Sequence, residues 1–393
     1  MSLLDKFLSA KAISEQLGGT QLDPTRLVIE RMISPTEGVI NGRRTILAGT
    51  NNYLGLTLDP ACVTAGIRAI EELGTGTTGS RMANGSFSTH EALEKELADF
   101  FEMPYAMVFS TGYSANLGTL TALLKSGDTA LLDADAHASL HDGCQMSGAN
   151  VYRFRHNDPL SLEKRLQRLG DKVRDCLIVV EGMYSVLGDT APLAEIVELK
   201  NRYAALLLVD EAHSLGVYGD RGCGVAEAQG VLQDVDFLVG TFSKSLGAMG
   251  GFCVSPHPQM GLFRYVSRPF IFTASSSPSI IASTHEALRQ LIARPELREA
   301  LWRNAQQLYE GLKSAGFQVG PELSPVVAVK LGEKEQALAF WNQLLEAGIY
   351  TNLLIPPASP DRFGYIRCSV SAAHTAEQVQ SIIDAFHRKA PLR

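Results

Sequence analysis

The chain lacks the features that mark nucleic-acid-binding and membrane-spanning proteins. Charged residues make up only 20% of its 393 residues, the formal net charge is −7, and lysine and arginine form no basic run. We therefore expect no nucleic-acid partner. No apolar stretch approaches the roughly 20 residues that a transmembrane helix needs, so we expect no membrane-spanning segment.

Cysteine is scarce, and its six positions lie far apart (Cys62, Cys144, Cys176, Cys223, Cys253 and Cys368). No two of them form the CxxC pair of a zinc knuckle, and their spacing indicates no disulfide framework. We therefore expect no metal site, and a reducing, cytoplasmic location.

The motifs of three other enzyme classes are missing as well. No GxGxxG follows an early strand, as nicotinamide binding requires. The glycine-rich GTGTTGSRMANG at residues 74–85 is not a GxxxxGK[ST] phosphate loop. No serine precedes Lys244 by three residues, as the SxxK motif of serine-lysine hydrolases requires.

The N-terminal sequence MSLLDKFLSAKAISEQLGG is too mixed in charge for the apolar core of a signal peptide. Its apolar residues suit one face of an amphipathic helix, and they are Leu3, Leu4, Phe7, Leu8, Ile13 and Leu17. A helix that docks on the protein is favoured over one that lies on a membrane surface.

Short apolar strands alternate with helices through the middle of the chain. Examples of such strands are PYAMVFS, TALLDAD, CLIVVEG, ALLLVDEAH, DFLVGTFSK and GGFCVS. This alternation predicts a parallel sheet covered by helices on both faces. From about residue 276 the pattern changes to long helices with a few strands. We predict an N-terminal arm over residues 1–45, a large domain over 46–275 and a small α+β domain over 276–393.

Polar residues stand where two of these strands end, which is where open α/β sheets bind ligands. ALLLV ends in Asp210, Glu211, Ala212 and His213. A buried strand rarely ends in an acid, because burial of an unpaired carboxylate is costly. Asp210 could instead only cap the following turn. FLVG is followed by Thr241, Phe242, Ser243 and Lys244.

Two further strand ends carry candidate ligand residues. AMVF is followed by Ser110, Thr111, Gly112 and Tyr113 at the start of a helix. A helix N-terminus of this kind binds anions, although the segment could equally be an ordinary N-cap. His137 follows the strand LLDAD, where a lone histidine is more often structural.

Together these residues suit one ligand, pyridoxal 5′-phosphate (PLP). Asp210 suits a protonated ring nitrogen, His213 a ring hydroxyl, and Lys244 an aldehyde. Gly112, Tyr113, Thr241 and Ser243 suit a phosphate, and His137 suits an aromatic face. The small residues after Lys244 in SKSLGAMGG favour desolvation, which lowers the pKa of a lysine and frees its amine to react.

Six segments resemble the α-oxoamine synthases across roughly residues 23–386. They are TNNYLGLT, GTGTTGSRMANGS, FSTGYSANLG, DAHASLHDG, VDEAHSLGVYG and GTFSKSLGAMGG. The resemblance implies a homodimer with the aspartate-aminotransferase-like fold of PLP-dependent transferases, type I. Its large domain has a mostly parallel seven-stranded sheet, and its small C-terminal domain is α+β. These enzymes condense an amino acid with an acyl-CoA and release carbon dioxide.

The resemblance also implies a role for each residue. Lys244 would hold the cofactor and remove the Cα proton, Asp210 would pair with the ring nitrogen, and His213 would contact the ring oxygen. His137 would stack on the ring and help to position the substrate. Gly112, Tyr113, Thr241 and Ser243 would bind the phosphate, Thr273 and Ala274 would reach the partner subunit's cofactor phosphate, and Asn52 and Arg367 would lie near the substrate carboxylate.

Within the family, SPTEGVINGRRTILAGT, YSVLGDTAPL and RPFIFTAS are most similar to the bacterial branch that condenses L-serine with palmitoyl-CoA to a 3-keto sphingoid base. Leu187 in YSVLGD is one marker of that branch. Ile355 departs from it, because the branch usually carries an arginine before the PP of LLIPPASP. Glycine, alanine or another small amino acid is therefore the alternative substrate. A non-catalytic partner subunit, which would lack the lysine, is the other alternative.

Overall fold

The computed structural model describes residues 3–8, 11, 23–356 and 358–389. Within the amphipathic N-terminal segment, Leu3, Leu4, Phe7 and Leu8 are exposed. Ile13 and Leu17 lie outside the described residues, so the docking helix stays a prediction. None of the helices formed by the described residues has the length and apolar character needed to cross a membrane.

The described residues form strands and helices that alternate through the middle of the chain. The strands are Ile29–Ser34 (β1), Glu37–Ile40 (β2), Arg43–Leu47 (β3), Tyr105–Phe109 (β4), Thr129–Asp133 (β5), Asn150–Phe154 (β6), Cys176–Glu181 (β7), Leu206–Asp210 (β8), Phe237–Thr241 (β9), Gly251–Ser255 (β10), Gln318–Val319 (β11), Val326–Lys330 (β12), Ile349–Tyr350 (β13), Asn352–Leu354 (β14) and Tyr365–Ser369 (β15).

Helices follow most strands. The α-helices are Pro60–Leu73 (α1), Ser88–Phe101 (α2), Gly112–Leu123 (α3), Ala138–Met146 (α4), Pro159–Leu169 (α5), Leu193–Tyr203 (α6), Val225–Ala228 (α7), Phe263–Val266 (α8), Arg268–Phe272 (α9), Pro278–Ala293 (α10), Glu296–Ser314 (α11), Lys334–Glu346 (α12) and Ala376–Lys389 (α13). Short 3-10 helices span Leu3–Lys6, Pro24–Arg26, Leu56–Leu58, Gly170–Asp175, Leu232–Asp234 and Pro258–Leu262.

The predicted seven-stranded, mostly parallel sheet is confirmed. Its strand order is β4-β10-β9-β8-β7-β5-β6. The neighbours from β9 to β6 pair in parallel, and β10 runs antiparallel to both β9 and β4. Every residue of β5, β7, β9 and β10 is buried. Burial on both faces explains why these strands are almost wholly apolar.

The parallel pairing aligns the carboxyl ends of the central strands. Glu181 at the end of β7 lies opposite Asp210 at the end of β8, and Asp210 lies opposite Val239 of β9. The segments that follow β5, β7, β8 and β9 therefore begin at one edge of the sheet. This shared edge places His137, Glu181, Asp210 and Lys244 within reach of one another.

Some elements differ from the sequence-based expectation. The helical region expected over residues 280–315 is two helices, α10 and α11, and Pro295 lies between them. Proline interrupts a helix because it has no backbone N–H to donate.

The patterns of apolar residues did not predict α4, β6 or the hairpin strands β1–β3. The strand β6 lies at the edge of the sheet, and three of its five residues, including the first, Asn150, are exposed. It therefore has no continuous apolar run.

The chain divides into two compact units, residues 51–301 and residues 1–50 together with 302–393. The smaller unit contains two four-stranded sheets, with strand orders β1-β2-β3-β13 and β11-β12-β15-β14. Parallel pairing of Ile349 with Ile46 and of Tyr350 with Leu47 joins its two chain segments. In the larger unit α10 packs against α1. These limits differ from the predicted domain ranges 46–275 and 276–393, which stay a prediction.

A buried ionic cluster in the larger unit connects the ends of β5 and β6 with the loop after β7. His156 Nδ1 lies 2.9 Å from Asp133 Oδ1, and its Nε2 lies 2.7 Å from Asp189 Oδ2. The ring of Tyr184 packs edge-on against the imidazole at 4.4 Å between centroids. Burial disfavours the charged imidazole, but hydrogen bonds to both aspartates raise the pKa of His156 to about 10. His156 is therefore a permanent cation at neutral pH.

His156→Gln should lower the free energy of unfolding by about 3 kcal/mol at pH 6.5, because two buried carboxylates lose their cation. The pKa of His156 in the folded protein, about 10, exceeds the ordinary histidine pKa of 6.5. The stabilisation is therefore complete below pH 6.5 and is lost as the pH rises towards 10. Urea unfolding of both proteins at pH 6.5, 8 and 10 measures the difference, which should shrink at each step.

His257→Gln is the matched control, because His257 contacts a single carboxylate, Asp236 Oδ1 at 2.8 Å, and its side chain is 37% exposed. We expect its effect to stay below about 1 kcal/mol. An effect of His156→Gln that is equal at all three pH values would show that His156 is neutral in the folded protein.

Candidate active site

A cavity of about 230 Å³ lies where the residues at these strand ends converge. It is lined by Thr111, Gly112, Tyr113, Asn116, His137, Ser139, Glu181, Asp210, Ala212, His213, Gly240, Thr241, Ser243 and Lys244. Eight of the residues that were singled out from the sequence are among them: Gly112, Tyr113, His137, Asp210, His213, Thr241, Ser243 and Lys244. The structure thus brings the predicted ring-binding, phosphate-binding and amine groups into one site.

Asp210 is buried, with 4% of its surface exposed, and both carboxylate oxygens accept hydrogen bonds. The backbone N–H of Ala212 donates to Oδ1 at 2.8 Å, and the Asn116 side-chain amide donates to Oδ2 at 2.7 Å. The hydrogen bond from Ala212 is the turn cap that the sequence analysis gave as the alternative role of Asp210. Asp210 makes this cap and also lines the cavity, so the two interpretations are compatible.

His137 is the N-cap of α4 and lines the cavity beside Tyr113, whose ring meets it edge-on at 6.4 Å between centroids. Its backbone N–H donates to Glu181 Oε1 at 2.6 Å, and its ring Nδ1 lies 2.7 Å from Ser139 Oγ. Desolvation and the nearby Lys244 lower the pKa of His137, although Asp210 opposes them. The imidazole is therefore neutral at pH 7, and an uncharged ring of this kind can stack on an aromatic face.

Glu181 was not singled out from the sequence, yet it is buried to 2% exposure and lines the cavity. Desolvation, together with the negative charge of Asp210, raises its pKa well above the ordinary range. It ends the apolar strand CLIVVE just as Asp210 ends LLLVD. The argument that a buried strand rarely ends in an acid would have identified both.

The expected anion site combines a helix N-terminus with two hydroxyl groups. Thr111 caps α3, since its Oγ1 accepts a hydrogen bond from Ser114 N at 2.9 Å. Thr241 Oγ1 donates to Gly250 O and lies 2.9 Å from Ser243 Oγ. A Cβ added to Gly112 would lie 2.8 Å from the Thr241 Cβ, so only glycine lets the helix start so near these hydroxyls.

Lys244 lies in the turn after β9, half-buried and at the wall of the cavity. The small residues behind it have a packing reason in addition to the expected desolvation. Gly247 has φ +59°, and a Cβ there would lie 2.8 Å from the backbone nitrogen of Thr57. A Cβ on Gly251 would lie 2.7 Å from the Gly112 Cα. Close backbone approach therefore requires these glycines.

His213 is held by a residue that the sequence did not single out for a role. Tyr53 Oη lies 2.8 Å from His213 Nδ1, and the tyrosine is fully buried. Asn52, the preceding residue, donates from Nδ2 to Thr57 Oγ1 at 2.9 Å. The motif TNNYLGLT therefore orients a cavity residue through Tyr53.

Five residues of interest lie outside the lining of this cavity, and Asn52, described above, is one of them. Thr273 and Ala274 are exposed, and the carbonyl of Ala274 accepts a hydrogen bond from Ser110 Oγ at 2.7 Å. Arg367 belongs to the smaller unit, where it is buried on β15 and donates to Ser369 Oγ at 2.9 Å. Ile355, also in that unit, follows β14 and is half-buried.

The polar groups that line the cavity fit the chemical groups of PLP. Asp210 supplies a carboxylate acceptor for a ring N–H, and Lys244 supplies an amine for an aldehyde. The start of α3 and the hydroxyl group of Ser243 supply donors for a phosphate dianion, and Thr241 lies beside them. The space that a Cβ on Gly112 would fill lies beside those hydroxyls.

Comparison with known proteins agrees with this chemistry. Residues 44–386 match the family of aminotransferases of class I and II. A serine palmitoyltransferase of Caulobacter vibrioides is 54% identical over 386 residues, which cover 98% of this chain and 96% of the relative. A serine palmitoyltransferase of Sphingomonas paucimobilis is 48% identical over 387 residues, which cover 98% of this chain and 92% of the relative.

Solved structures give the same result. A serine palmitoyltransferase of Sphingomonas wittichii superposes with a TM-score of 0.96 at 47% identity, covering 99% of this chain and 98% of that one. A high-resolution structure of SPT with a PLP internal aldimine gives the same TM-score, identity and coverage. The chain therefore belongs to the aminotransferase class I and II family. Its resemblance to the α-oxoamine synthases, and to their serine-using branch, is confirmed.

Glu181→Gln should raise the free energy of unfolding of the cofactor-free protein at pH 8 by at least about 1 kcal/mol. The pKa of Glu181 lies well above the ordinary glutamate pKa of 4.5. The folded protein therefore holds a proton that the unfolded chain releases above pH 4.5, and this costs stability as the pH rises. Glutamine keeps an oxygen acceptor for the backbone N–H of His137 and cannot ionise. Urea unfolding at pH 4.5 and pH 8 measures both proteins.

The difference between the two proteins should vanish near pH 4.5. Glu181→Ala is the matched variant, because it removes the acceptor as well and should be less stable than Glu181→Gln at both pH values. A Glu181→Gln protein that is less stable than wild type at pH 8 would mean that Glu181 is ionised in the fold.

Proposed function

We propose that this member of the aminotransferase class I and II family is a serine palmitoyltransferase. It condenses L-serine with palmitoyl-CoA and releases 3-ketodihydrosphingosine, CoA and carbon dioxide. The observation that carries the proposal is the convergence of Lys244, Asp210, His213 and His137 on one cavity. The near-full-length relatives at 54% and 48% identity support the substrate pair.

Bound PLP supplies an electron-withdrawing ring that accepts the charge left on the amino acid when its Cα proton leaves. Asp210 keeps that ring cationic. Its carboxylate, already fixed by Ala212 and Asn116, accepts a charge-assisted hydrogen bond from the ring N–H, worth about 1.5–3 kcal/mol. His213, whose Nδ1 lies 2.8 Å from Tyr53 Oη, would contact the ring oxygen.

Lys244 Nζ would hold the cofactor through its aldehyde group. Its amine would also act as the base for the Cα proton of serine. His137 covers the ring face and helps to hold the substrate carboxylate, and its neutral imidazole avoids repulsion with the cationic ring. Gly112, Tyr113, Thr241 and Ser243 bind the phosphate at the start of α3.

The active enzyme is a homodimer in this proposal, with Thr273 and Ala274 reaching the phosphate of the partner's cofactor. Support comes from the exposure of both residues and of the apolar side chains just before them, including Phe272 at 73% and Tyr265 at 64%. A cytoplasmic location is consistent with the six cysteines, all of which are unpaired and buried.

A synthase that uses glycine or alanine is the second candidate, and Ile355 is the observation that favours it. The side chain of Ile355 has neither charge nor hydrogen-bond donors for a substrate carboxylate. A role as a non-catalytic subunit is disfavoured, because Lys244, Asp210 and His213 are all present at the cavity.

Purified protein should release CoA from palmitoyl-CoA in the presence of L-serine and PLP, and Lys244→Ala should abolish this release and the visible absorption band of the cofactor. Lys125→Ala is the matched control, since Lys125 is exposed and outside the cavity, and it should behave as wild type. A panel of amino acids and acyl-CoAs in the same assay distinguishes the two candidates. Turnover by Lys244→Ala at the wild-type rate would refute the PLP mechanism.

Arg367→Ala should weaken serine binding by about one to two powers of ten, because no arginine at position 355 can replace the lost charge-assisted bond. In this proposal Arg367 and Asn52 hold the serine carboxylate together with His137. Titration of the cofactor absorption with serine measures the affinity, and Ile355→Arg should increase it. Arg362→Ala, an exposed arginine of the same unit, is the control. Wild-type affinity in Arg367→Ala would place the carboxylate elsewhere.

A further inference from the structure

Asn116 forms hydrogen bonds with two cavity residues, Asp210 at the end of β8 and Ser139 in the helix that follows β5. It lies in the interior of α3 with 2% of its surface exposed. Its Nδ2 lies 2.7 Å from Asp210 Oδ2 and 2.9 Å from Ser139 Oγ. Asp210 Oδ2 accepts from this nitrogen, so the amide group of Asn116, and not its carbonyl, faces Asp210. Both hydrogens of this amide are therefore donated, one to Asp210 and one to Ser139.

Ser139 links the oriented amide of Asn116 to the imidazole of His137 through its hydroxyl group. Its side chain is buried, and its Oγ accepts the hydrogen bond from Asn116. The hydroxyl hydrogen is then available for His137 Nδ1, which lies 2.7 Å from Oγ. The backbone N–H of Ser139 donates to the same nitrogen at 3.3 Å. A nitrogen that accepts both bonds carries no hydrogen, so the neutral imidazole holds its proton on Nε2.

We propose that Asn116 and Ser139 are positioning residues that fix His137 in the Nε2–H tautomer and in one ring orientation. We call the hydrogen-bonded chain Asp210–Asn116–Ser139–His137 the relay. It begins at the Asp210 carboxylate, whose charge determines the orientation of the Asn116 amide. The inference rests on the proposed function in one respect, since it treats His137 and Asp210 as groups that contact the cofactor. The tautomer itself follows from the hydrogen bonds of the chain alone.

The relay also disfavours protonation of His137, because a hydrogen on Nδ1 would displace the one that Ser139 donates. The other groups that affect this imidazole come from every neighbouring element. They are Asp142 and His141 on α4, Tyr113 on α3, Glu181 on β7, Asp210 on β8 and Lys244 after β9. Removal of the relay should therefore make His137 easier to protonate and move the acid limb of the pH–rate profile to higher pH.

The tautomer can be measured directly by NMR of full-length protein with ¹⁵N-labelled histidine, with and without bound PLP. His137→Gln identifies the His137 signals among those of the nine histidines. In wild type we expect an unprotonated Nδ1 and a protonated Nε2. In Asn116→Ala and in Ser139→Ala both nitrogens should shift towards the averaged values of exchanging tautomers.

Kinetics of the PLP-loaded enzyme supply the second measurement. Removal of the charge-assisted bond from Asn116 to Asp210 should lower kcat by about ten- to a hundredfold, with a smaller change in the KM for serine. Asn304→Ala is the matched control, because this buried amide also donates to two acceptors, Ser371 O and His374 O, each at 2.9 Å. It should lose stability without a change in the His137 signals or the pH profile.

The relay is refuted if His137 keeps a single Nε2–H tautomer in both Asn116→Ala and Ser139→Ala while both variants remain folded. Ser139→Ala decides alone if Asn116→Ala does not fold. An Nδ1–H tautomer in wild type would refute the proposal as well. Altered tautomers in a protein without turnover on any substrate would refute the proposed function but support the relay.

Discussion

A carboxylate buried at the end of a parallel strand is the constraint on which the rest of the site depends. Asp210 is 4% exposed, and an unpaired charge at that depth would cost several kcal/mol. The chain compensates with one backbone donor from Ala212 and one amide donor from Asn116. Each donor is itself placed by secondary structure, a turn after β8 and the interior of α3. The charge of Asp210 therefore explains why a polar residue stands inside an apolar helix.

Several residues make a structural contact and line the site at the same time. Asp210 caps its own turn, Thr111 caps α3, and His137 caps α4. Caps lie where a strand ends and a helix begins, and this is also where an open parallel sheet binds ligands. A structural interpretation and a functional one therefore do not compete at these positions, because the same geometry produces both.

Close backbone approach positions the amine. The turn that carries Lys244 touches Thr57 through Gly247, and Gly251, where β10 begins after that turn, touches the start of α3. A side chain at either glycine would push the turn away from the cavity. Farther from the cavity, the cation of His156 holds Asp133 and Asp189 together and so ties the segment that leads to His137 to the loop after β7. Packing and buried charge thus determine the distances that the chemistry needs.

The positions of the strand ends, and the chemical groups at them, could be predicted from the amino-acid sequence. Periodicity predicted the parallel sheet, and the polar residues after its apolar strands, with the family resemblance, predicted Lys244, Asp210, His213 and His137. The rule that identified Asp210 applies equally to Glu181, so that omission was avoidable. Sequence patterns did not show the partners Asn116, Ser139 and Tyr53, because each stands in a segment whose spacing resembles an ordinary helix or loop. These contacts arise on folding, since they join residues 23 to 160 positions apart. The register of β7 against β8, which also forms on folding, places Glu181 opposite Asp210.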